Sequence, residues 1–227
     1  KPEEWTSHDV VNLVRRRFQV KKVGHCGTLD PIATGLLVLV LGRATKLSSR
    51  LMTQDKEYSG TMHLGIETHT QDRAGETTAT ADPSGVDEAA ILAAAAKFVG
   101  PIMQIPPMVS ALKRNGQRLY KLARRGEEVE REARALTITR LDIHDVHMPF
   151  VDFSVACSKG TYVRTLCADI GHVLGCGAHL HALRRTRSGA FHVRDAYSVD
   201  LIKTWEREDL LSNMTSMANV VTVLMDV

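Results

Sequence analysis

The chain has 227 residues, 44% hydrophobic and 24% charged, with a formal net charge of +3 at pH 7. This composition excludes disordered and low-complexity proteins, and the longest apolar run, Ala89 to Ala96, is too short for a membrane-spanning helix. The four cysteines are widely spaced and include no C-x-x-C pair, which favours free thiols in a reducing, cytoplasmic compartment. We therefore expect a folded protein without membrane contact.

The first elements can be assigned from capping and hydrophobic periodicity. Thr6 with Asp9 three residues later resembles a capping box and predicts a helix that runs to about Arg17. A glycine-rich loop over residues 24–35 follows. The six aliphatic residues Leu36 to Leu41 then predict a strand buried on both faces.

Helical and strand patterns alternate along the rest of the chain. Alternation of apolar and polar residues, and glycine or proline at the ends of segments, set the expected bounds. We expect strands at about 56–65, 77–81, 137–143 and 151–157, and helices at about 44–52, 87–99, 117–124, 162–174 and 200–214. No repeat or linker divides them, which predicts one α/β or α+β domain.

Positive charge is concentrated in two segments. Six basic residues and no acid lie between positions 113 and 125, and a second cluster lies between positions 184 and 187. Such clusters are expected where a protein contacts a phosphate backbone, although a solvated basic face has the same composition. The basic residues are Lys113, Arg114, Arg118, Lys121, Arg124 and Arg125 in the first cluster, and Arg184, Arg185 and Arg187 in the second.

Two loops could carry chemistry. Asp30 lies before a proline in the 24–35 loop, where a rigidly held carboxylate could act as nucleophile or general base, or could simply form a turn. Arg164 lies in the first turn of the 162–174 helix, where the helix dipole disfavours a cation. This position indicates either a carboxylate or phosphate partner or an exposed side chain.

A metal centre is not favoured by the sequence. Cys176, His179 and His181 are close together, but they lack zinc-finger spacing and a further ligand would have to come from elsewhere. Phosphate-binding P-loop and dinucleotide-binding glycine motifs are also missing from the sequence. We therefore expect no metal and no cofactor.

The motifs in chain order resemble those of the TruB family of tRNA pseudouridine synthases. Residues 24–35 read GHCGTLDPIATG, similar to the family's GHTGTLDPxATG, and the match continues through residues 106–113 (PPMVSALK) and 157–166 (CSKGTYVRTL). Lys1, Pro2, Thr6 and Ser7 resemble its KPxGxTS opening. Similar segments at 42–46, 56–58, 175–178 and 183–186 extend the resemblance over about residues 1–190.

The resemblance implies a role for each matching residue. Asp30 falls on the catalytic aspartate, and Tyr58 on the tyrosine that stacks on the target uracil. His25 falls on the histidine that supports displaced tRNA bases. Tyr162 falls on an active-site tyrosine, Arg164 on the arginine that pairs with the aspartate, and Leu183 on a leucine lining the uridine pocket. The implied reaction converts uridine to pseudouridine at position 55 in the tRNA T-loop, without cofactor or metal.

The resemblance also implies an architecture and a partner. It implies an α+β pseudouridine synthase fold, with a mixed, largely antiparallel sheet flanked by helices and loops. We expect a catalytic domain over residues 1–200, a thumb-like insertion at about 104–134 that closes over tRNA, and a short helical tail over 201–227 in place of a C-terminal PUA domain. The expected protein is a cytoplasmic monomer that binds the tRNA T-arm without an obligatory protein partner.

Two alternatives remain open from the sequence, and three positions depart from the family pattern. The chain could be a non-catalytic tRNA-binding or tRNA-folding protein, or a pseudouridine synthase that acts on another RNA. Glu4 stands where the family usually has glycine, Cys26 replaces threonine or alanine, and Val109 replaces a common tyrosine. Within the basic 113–125 segment, the phosphate-contact candidates are Lys113, Arg114, Arg118, Lys121 and Arg125. Arg184 and Arg185 are the candidates in the second cluster.

Overall fold

Two compact units make up the structure, a computed structural model that describes residues 1–110, 112–114, 116–123, 125–127 and 129–225. The first unit comprises Lys1–Tyr58 and Arg184–Val227, and the second comprises Ser59–Leu183. The described elements mix helices with mainly antiparallel strands, which confirms the α+β class. Among the described residues, no helix is both long enough and apolar enough to cross a membrane.

The elements follow one another along the chain in a mixed order. The helices are α1 Ser7–Arg17, α2 Ser48–Met52, α3 Glu88–Ala96, α4 Leu119–Ala123, α5 Val163–Leu174, α6 Val199–Thr204, α7 Arg207–Ser212 and α8 Met217–Met225. The strands are β1 Val23–His25, β2 Ala33–Gly35, β3 Leu39–Leu41, β4 Lys56–Leu64, β5 Ile66–Thr68, β6 Thr77–Thr80, β7 Gly100–Gln104, β8 Lys113–Arg114, β9 Gln117–Arg118, β10 Arg134–His147, β11 Phe150–Cys157, β12 Ala178–Ser188 and β13 Phe191–His192. Short 3-10 helices span Gly42–Leu47 and Val193–Asp195.

The first unit forms around α1. The Thr6 side chain accepts a hydrogen bond from the Asp9 amide, and the Asp9 carboxylate accepts one from the Thr6 amide, which confirms the predicted capping box. Val11 and Val14 on the buried face of α1 pack with Phe18 and Trp205. β1 pairs antiparallel with β3, and β2 and β13 each pair with β12.

The predicted strand over Leu36 to Leu41 is wrong in length and burial. Only Leu39–Leu41 form a strand, and only Leu36 and Val40 are buried. The Leu36 amide donates to the Arg185 carbonyl, whereas the Val38 carbonyl accepts from the Cys26 amide. The segment therefore changes partners along its length instead of entering one sheet as a continuous strand.

The single helix predicted over 200–214 is instead two helices. α6 ends at Thr204 and α7 starts at Arg207, because Trp205 is extended and its carbonyl accepts hydrogen bonds from Nε and Nη2 of Arg17 on α1 at 3.0 and 2.8 Å. Because the Trp205 carbonyl bonds to a distant helix, it does not take part in the backbone hydrogen bonds of a continuous helix.

The second unit forms around a sheet with the strand order β12–β4–β11–β10–β7. β11 alternates buried and half-buried residues, with Val151, Phe153 and Val155 in the core, as its sequence pattern predicts. Helices α3 and α5 pack against each other, and α3 also packs against β10. The sequence analysis did not predict β7 or β12, although β12 carries part of the candidate site.

Candidate functional site

The 24–35 loop of the first unit holds Asp30 in a tight turn. The Ala33 amide donates to the Asp30 carbonyl at 3.0 Å, with Pro31 at the second turn position, where its fixed φ suits a β-turn. Leu29, which precedes Asp30, is buried, and its amide donates to Ser7 Oγ at 2.8 Å. The backbone on both sides of the half-buried Asp30 is therefore fixed.

Lys1 stabilises the other side of this turn through hydrogen bonds. Its Nζ donates to the Pro31 carbonyl at 3.1 Å and to the Ala33 carbonyl at 2.6 Å. Burial lowers the pKa of the Lys1 side chain to about 8, and attraction to the Asp30 carboxylate acts in the opposite direction. Lys1 is therefore mainly protonated at pH 7, and its positive charge lies near Asp30.

Arg185 supports the loop from inside the protein, which corrects its predicted role as a phosphate contact. Its side chain is 1% exposed, with Nε donating to the Leu36 carbonyl at 2.7 Å and Nη2 to the Gly27 carbonyl at 3.1 Å. A guanidinium enclosed in this way has no surface to offer an RNA backbone. Gly35 lies against the Arg185 backbone with φ +95°, and a Cβ there would collide with the Arg185 carbonyl.

His25 and Cys26 precede Asp30 in the same loop. Burial lowers the pKa of His25, and the Arg185 guanidinium lowers it further, so the imidazole is neutral at pH 7. Burial raises the pKa of the Cys26 thiol to about 11. Cys26 is therefore a protonated core residue, and its departure from the family pattern creates no reactive thiolate.

Tyr58 is half-buried near the start of β4. Two residues earlier, Lys56 is buried and its Nζ donates to the carbonyls of Met52 and Gln54. These bonds close the connection from α2 into β4. The starting position of the strand, and with it the place of Tyr58, is set by a buried lysine.

Tyr162 in the second unit is fixed by a buried amide side chain. Gln104, 1% exposed, accepts from the Tyr162 amide at 2.9 Å and donates to the Tyr162 carbonyl at 3.2 Å. Tyr162 is the N-cap residue of α5, as the sequence predicts to within one residue. Its ring lies 5.7 Å from the Arg164 guanidinium carbon, within the range of a cation–π contact.

Arg164 is buried and pairs with a carboxylate that the sequence analysis did not single out. Its Nη1 lies 3.7 Å from Asp72 Oδ2, and the two side chains are 4% and 7% exposed. The Arg164 guanidinium also donates to the carbonyls of Thr70 and Val109. The prediction that Arg164 has an anionic partner is thus confirmed, with Asp72 as a partner inside the second unit.

Asp72 is itself held by its own turn. Its Oδ1 accepts hydrogen bonds from Thr70 Oγ1 at 2.7 Å and from the Ala74 amide at 3.1 Å. Asp72 lies in the segment T-Q-D-R-A-G, whose composition is typical of an ordinary polar turn. Nothing in its spacing connects it with Arg164, which lies more than ninety residues later.

The remaining predicted residues fall into two groups. Leu183 is half-buried on β12, and Arg125 and Arg184 are exposed. Arg125 donates to Gln117 Oε1 at 2.8 Å and pairs with Glu127 at 2.9 Å. The side chains of Lys113, Arg114, Arg118 and Lys121 lie outside the described part of the structure. Asp30 and Arg164 belong to different units, so their direct pairing stays a prediction.

Glu4, one of the departures from the family pattern, has a left-handed backbone. Its φ is +63°, in the region where glycine has no steric penalty. The glycine usual at this position fits that geometry. Glu4 keeps the same turn at a conformational cost, and its amide donates to the Pro31 carbonyl beside Asp30.

Two family models match consecutive parts of the chain. The TruB family pseudouridylate synthase N-terminal domain matches residues 15–163, and the tRNA pseudouridylate synthase B C-terminal domain matches residues 164–220. Among curated relatives, tRNA pseudouridine synthase B of Syntrophotalea carbinolica is 49% identical over 218 residues, which are 96% of this chain and 71% of the relative. The enzyme of the same name from Burkholderia pseudomallei (strain 668) is 52% identical over 89% of this chain and 67% of the relative.

Solved structures show the same fold. A chain of a Cbf5–Nop10–Gar1 complex matches with a TM-score of 0.71 and 32% identity, covering 90% of this chain and 52% of that chain. A chain of an H/ACA ribonucleoprotein bound to a substrate RNA containing 2′-deoxyuridine matches with a TM-score of 0.69 and 27% identity, covering 95% of this chain and 54% of that chain. The chain thus spans about half the length of these solved chains. Sequence and fold together show that it belongs to the TruB family of pseudouridylate synthases.

Proposed function

We propose that this chain converts uridine to pseudouridine at position 55 in the T-loop of tRNA, with Asp30 as the catalytic carboxylate. The observation that carries the proposal is the fixation of the backbone on both sides of Asp30. Ser7 holds the residue before it, Lys1 holds the residue after it, and Arg185 supports the rest of the loop. A carboxylate on a loop fixed in this way is preorganised for a reacting atom. Membership of the family supports the class of reaction, and the fixed loop supports Asp30 as the residue that reacts.

The reaction first requires that the target base leave the tRNA loop. Flipping a base out of its stack costs roughly a few kcal/mol, and stacking on an aromatic side chain recovers about 1–3 kcal/mol per base. Tyr58, fixed by the buried Lys56, is the proposed platform. His25, neutral at pH 7, is the proposed support for the displaced neighbouring bases.

The isomerisation then breaks one bond and forms another at the same sugar carbon. The N1–C1′ bond breaks, the uracil turns, and C1′ joins C5, while C5 loses a proton and N1 ends protonated. Asp30 can assist by forming an adduct at C1′, by abstracting a proton, or by stabilising an oxocarbenium-like centre. All three roles need an ionised carboxylate. A buried arginine aimed at Asp30 would keep it ionised, and Arg164 is the proposed group.

The proposed functional complex is one chain bound to one tRNA. A cytoplasmic monomer binds the tRNA T-arm with the exposed Arg125 and Arg184, the insertion at 104–134 closes over the tRNA, and no cofactor takes part. Residues 1–200 form the catalytic domain and residues 201–227 a helical tail. The interspersed basic and apolar residues of the insertion support a role in covering RNA, since phosphate contacts position a bound nucleic acid.

The test maps pseudouridine in an unmodified tRNA transcript after incubation with the full chain. Product is expected at position 55, and a transcript with cytidine at that position should yield none. Asp30→Asn should yield no product, whereas Asp195→Asn, a matched change at an exposed aspartate of the same unit, should behave as the unaltered chain. tRNA binding without product would contradict the proposal and favour a tRNA-binding protein, and product only in another RNA would contradict the substrate.

A further inference from the structure

Three histidines meet on the sheet of the second unit. His63 lies on β4, and His179 and His181 lie on the neighbouring strand β12, where residues two apart face the same side of a sheet. One ring nitrogen of each histidine lies within 4.8 Å of those of the other two. In the described part of the chain, no other group of three histidine, cysteine or acidic side chains is arranged to share a metal ion.

His179 is oriented as metal-ligating histidines usually are. The residue is 4% exposed, and its Nδ1 lies 3.0 Å from the Ile66 carbonyl oxygen. A carbonyl only accepts hydrogen bonds, so Nδ1 carries a proton and Nε2 is the nitrogen that a metal could bind. A second hydrogen bond of this kind fixes the tautomer and the ring direction in most histidine metal sites.

His63 and His181 are both half-buried. The Arg73 guanidinium acts electrostatically on His181 and would repel a dication there. Because His181 is partly exposed, water and salt screen that repulsion.

Phe150 on β11 packs against two of the three histidines. Its ring lies 4.5 Å from the His63 ring and 4.9 Å from the His181 ring, centroid to centroid. Tetrahedral coordination with bonds of about 2.1 Å needs nitrogens about 3.4 Å apart. Metal binding would therefore require the His63 and His181 rings to move closer to His179 than they lie in this structure.

We propose that His63, His179 and His181 form a binding site for Zn²⁺, with three imidazole ligands and a fourth position taken by water. Three nitrogen donors without carboxylates suit zinc and its neighbours in the first transition row rather than Mg²⁺ or Ca²⁺. The sequence did not favour a metal because it offered Cys176 with the two β12 histidines and could not place His63 beside them. The bound ion would link β4 to β12, independently of the proposed chemistry at Asp30.

The test is calorimetric titration of the untagged full chain, stripped of metal by a chelator, with Zn²⁺ alone. One equivalent should bind, and Co²⁺ at the same site should give the visible absorption of a tetrahedral complex. His181→Gln and His63→Gln should each weaken Zn²⁺ binding at least about tenfold. The matched control is His144→Gln, at an exposed histidine of β10 outside the cluster, which should bind as the unaltered chain does.

Three results of these titrations would contradict the proposed zinc site. Failure to saturate at one equivalent, equal affinity in His181→Gln, or an equal loss in His144→Gln would overturn the site. Urea unfolding of each variant in metal-free buffer shows whether the fold is intact. An intact His181→Gln variant with weakened Zn²⁺ binding attributes the effect to a lost ligand.

Discussion

The loop around Asp30 and the turn around Asp72 each position an aspartate, but they leave it exposed to different degrees. The contacts described around Asp30 go to backbone atoms, from Ser7 and Lys1 and through the turn bond to Ala33, and Asp30 is half-buried. At Asp72 the carboxylate itself accepts from Thr70 and Ala74 and pairs with Arg164, and the residue is 5% exposed.

This difference separates two roles that one residue type can have. A half-buried aspartate whose loop is held through the backbone can be placed accurately where a substrate can reach it. An almost fully buried carboxylate is out of reach of a substrate and positions another side chain, here the Arg164 guanidinium. We therefore interpret Asp30 as the reacting group and Asp72 as a positioning residue. Changes at the two should affect activity and stability in different proportions.

The largest stability effect is expected at the buried pair. Asp72→Ala removes the Asp72 carboxylate from the buried Arg164 guanidinium and should lower the free energy of unfolding by up to about 5 kcal/mol. Asp142→Ala is the matched control, because the Arg140–Asp142 pair is shorter, at 3.0 Å, but about half exposed. Such exposed pairs contribute about 0–1 kcal/mol. Urea unfolding measures both, and equal losses would contradict the assigned positioning role.

The next effect is expected from the backbone of the Asp30 loop. Gly35→Ala adds a Cβ at φ +95° against the Arg185 carbonyl, so it should cost about 2–3 kcal/mol of stability. Gly24→Ala is the control in the same loop, because its φ is ordinary and its Cβ would meet Val40 at 3.5 Å. If Gly35→Ala were as stable as Gly24→Ala, the close approach of Gly35 to the Arg185 backbone would not be what fixes the loop.

A smaller, separate effect is expected on tRNA binding. Reversing Arg118 and Lys121 to glutamate touches neither aspartate turn, so it should weaken tRNA binding while leaving the rate at saturating tRNA near that of the unaltered chain. The slope of log affinity against log salt should flatten by about 1.4–1.8, from two lost phosphate contacts. Binding titrations over a salt series measure it, with Arg194→Glu as the control. An unchanged slope would contradict an RNA-facing role for this segment.

Local patterns predicted the local structure well. The Thr6–Asp9 capping box, the alternating strand β11 and the helix after Tyr162 depend on neighbours within a few residues, and all three are confirmed. The signature loop with Asp30 was identified from its resemblance to a family. No physical step from the residues alone reaches the reaction.

Features that depend on distant residues could not be predicted. Arg185 was grouped with exposed arginines because a cluster of charges indicates a surface, whereas loop carbonyls from Gly27 and Leu36 pair with it in the interior. Trp205 interrupts a helical pattern because Arg17 bonds its carbonyl. Asp72 joins Arg164, and His63 joins two histidines of β12, across more than ninety residues of chain.

The central claim is that Asp30 reacts and does not support the fold. The direct measurement is the single-turnover rate of pseudouridine formation by Asp30→Asn, together with its free energy of unfolding in urea. We expect the rate to fall at least about 10³-fold, as for loss of a reacting group. The free energy of unfolding should fall by less than it does in Asp72→Ala, because Asp30 is only half-buried. A rate within tenfold of the unaltered chain, or a loss of activity matched by a loss of folding, would contradict the account.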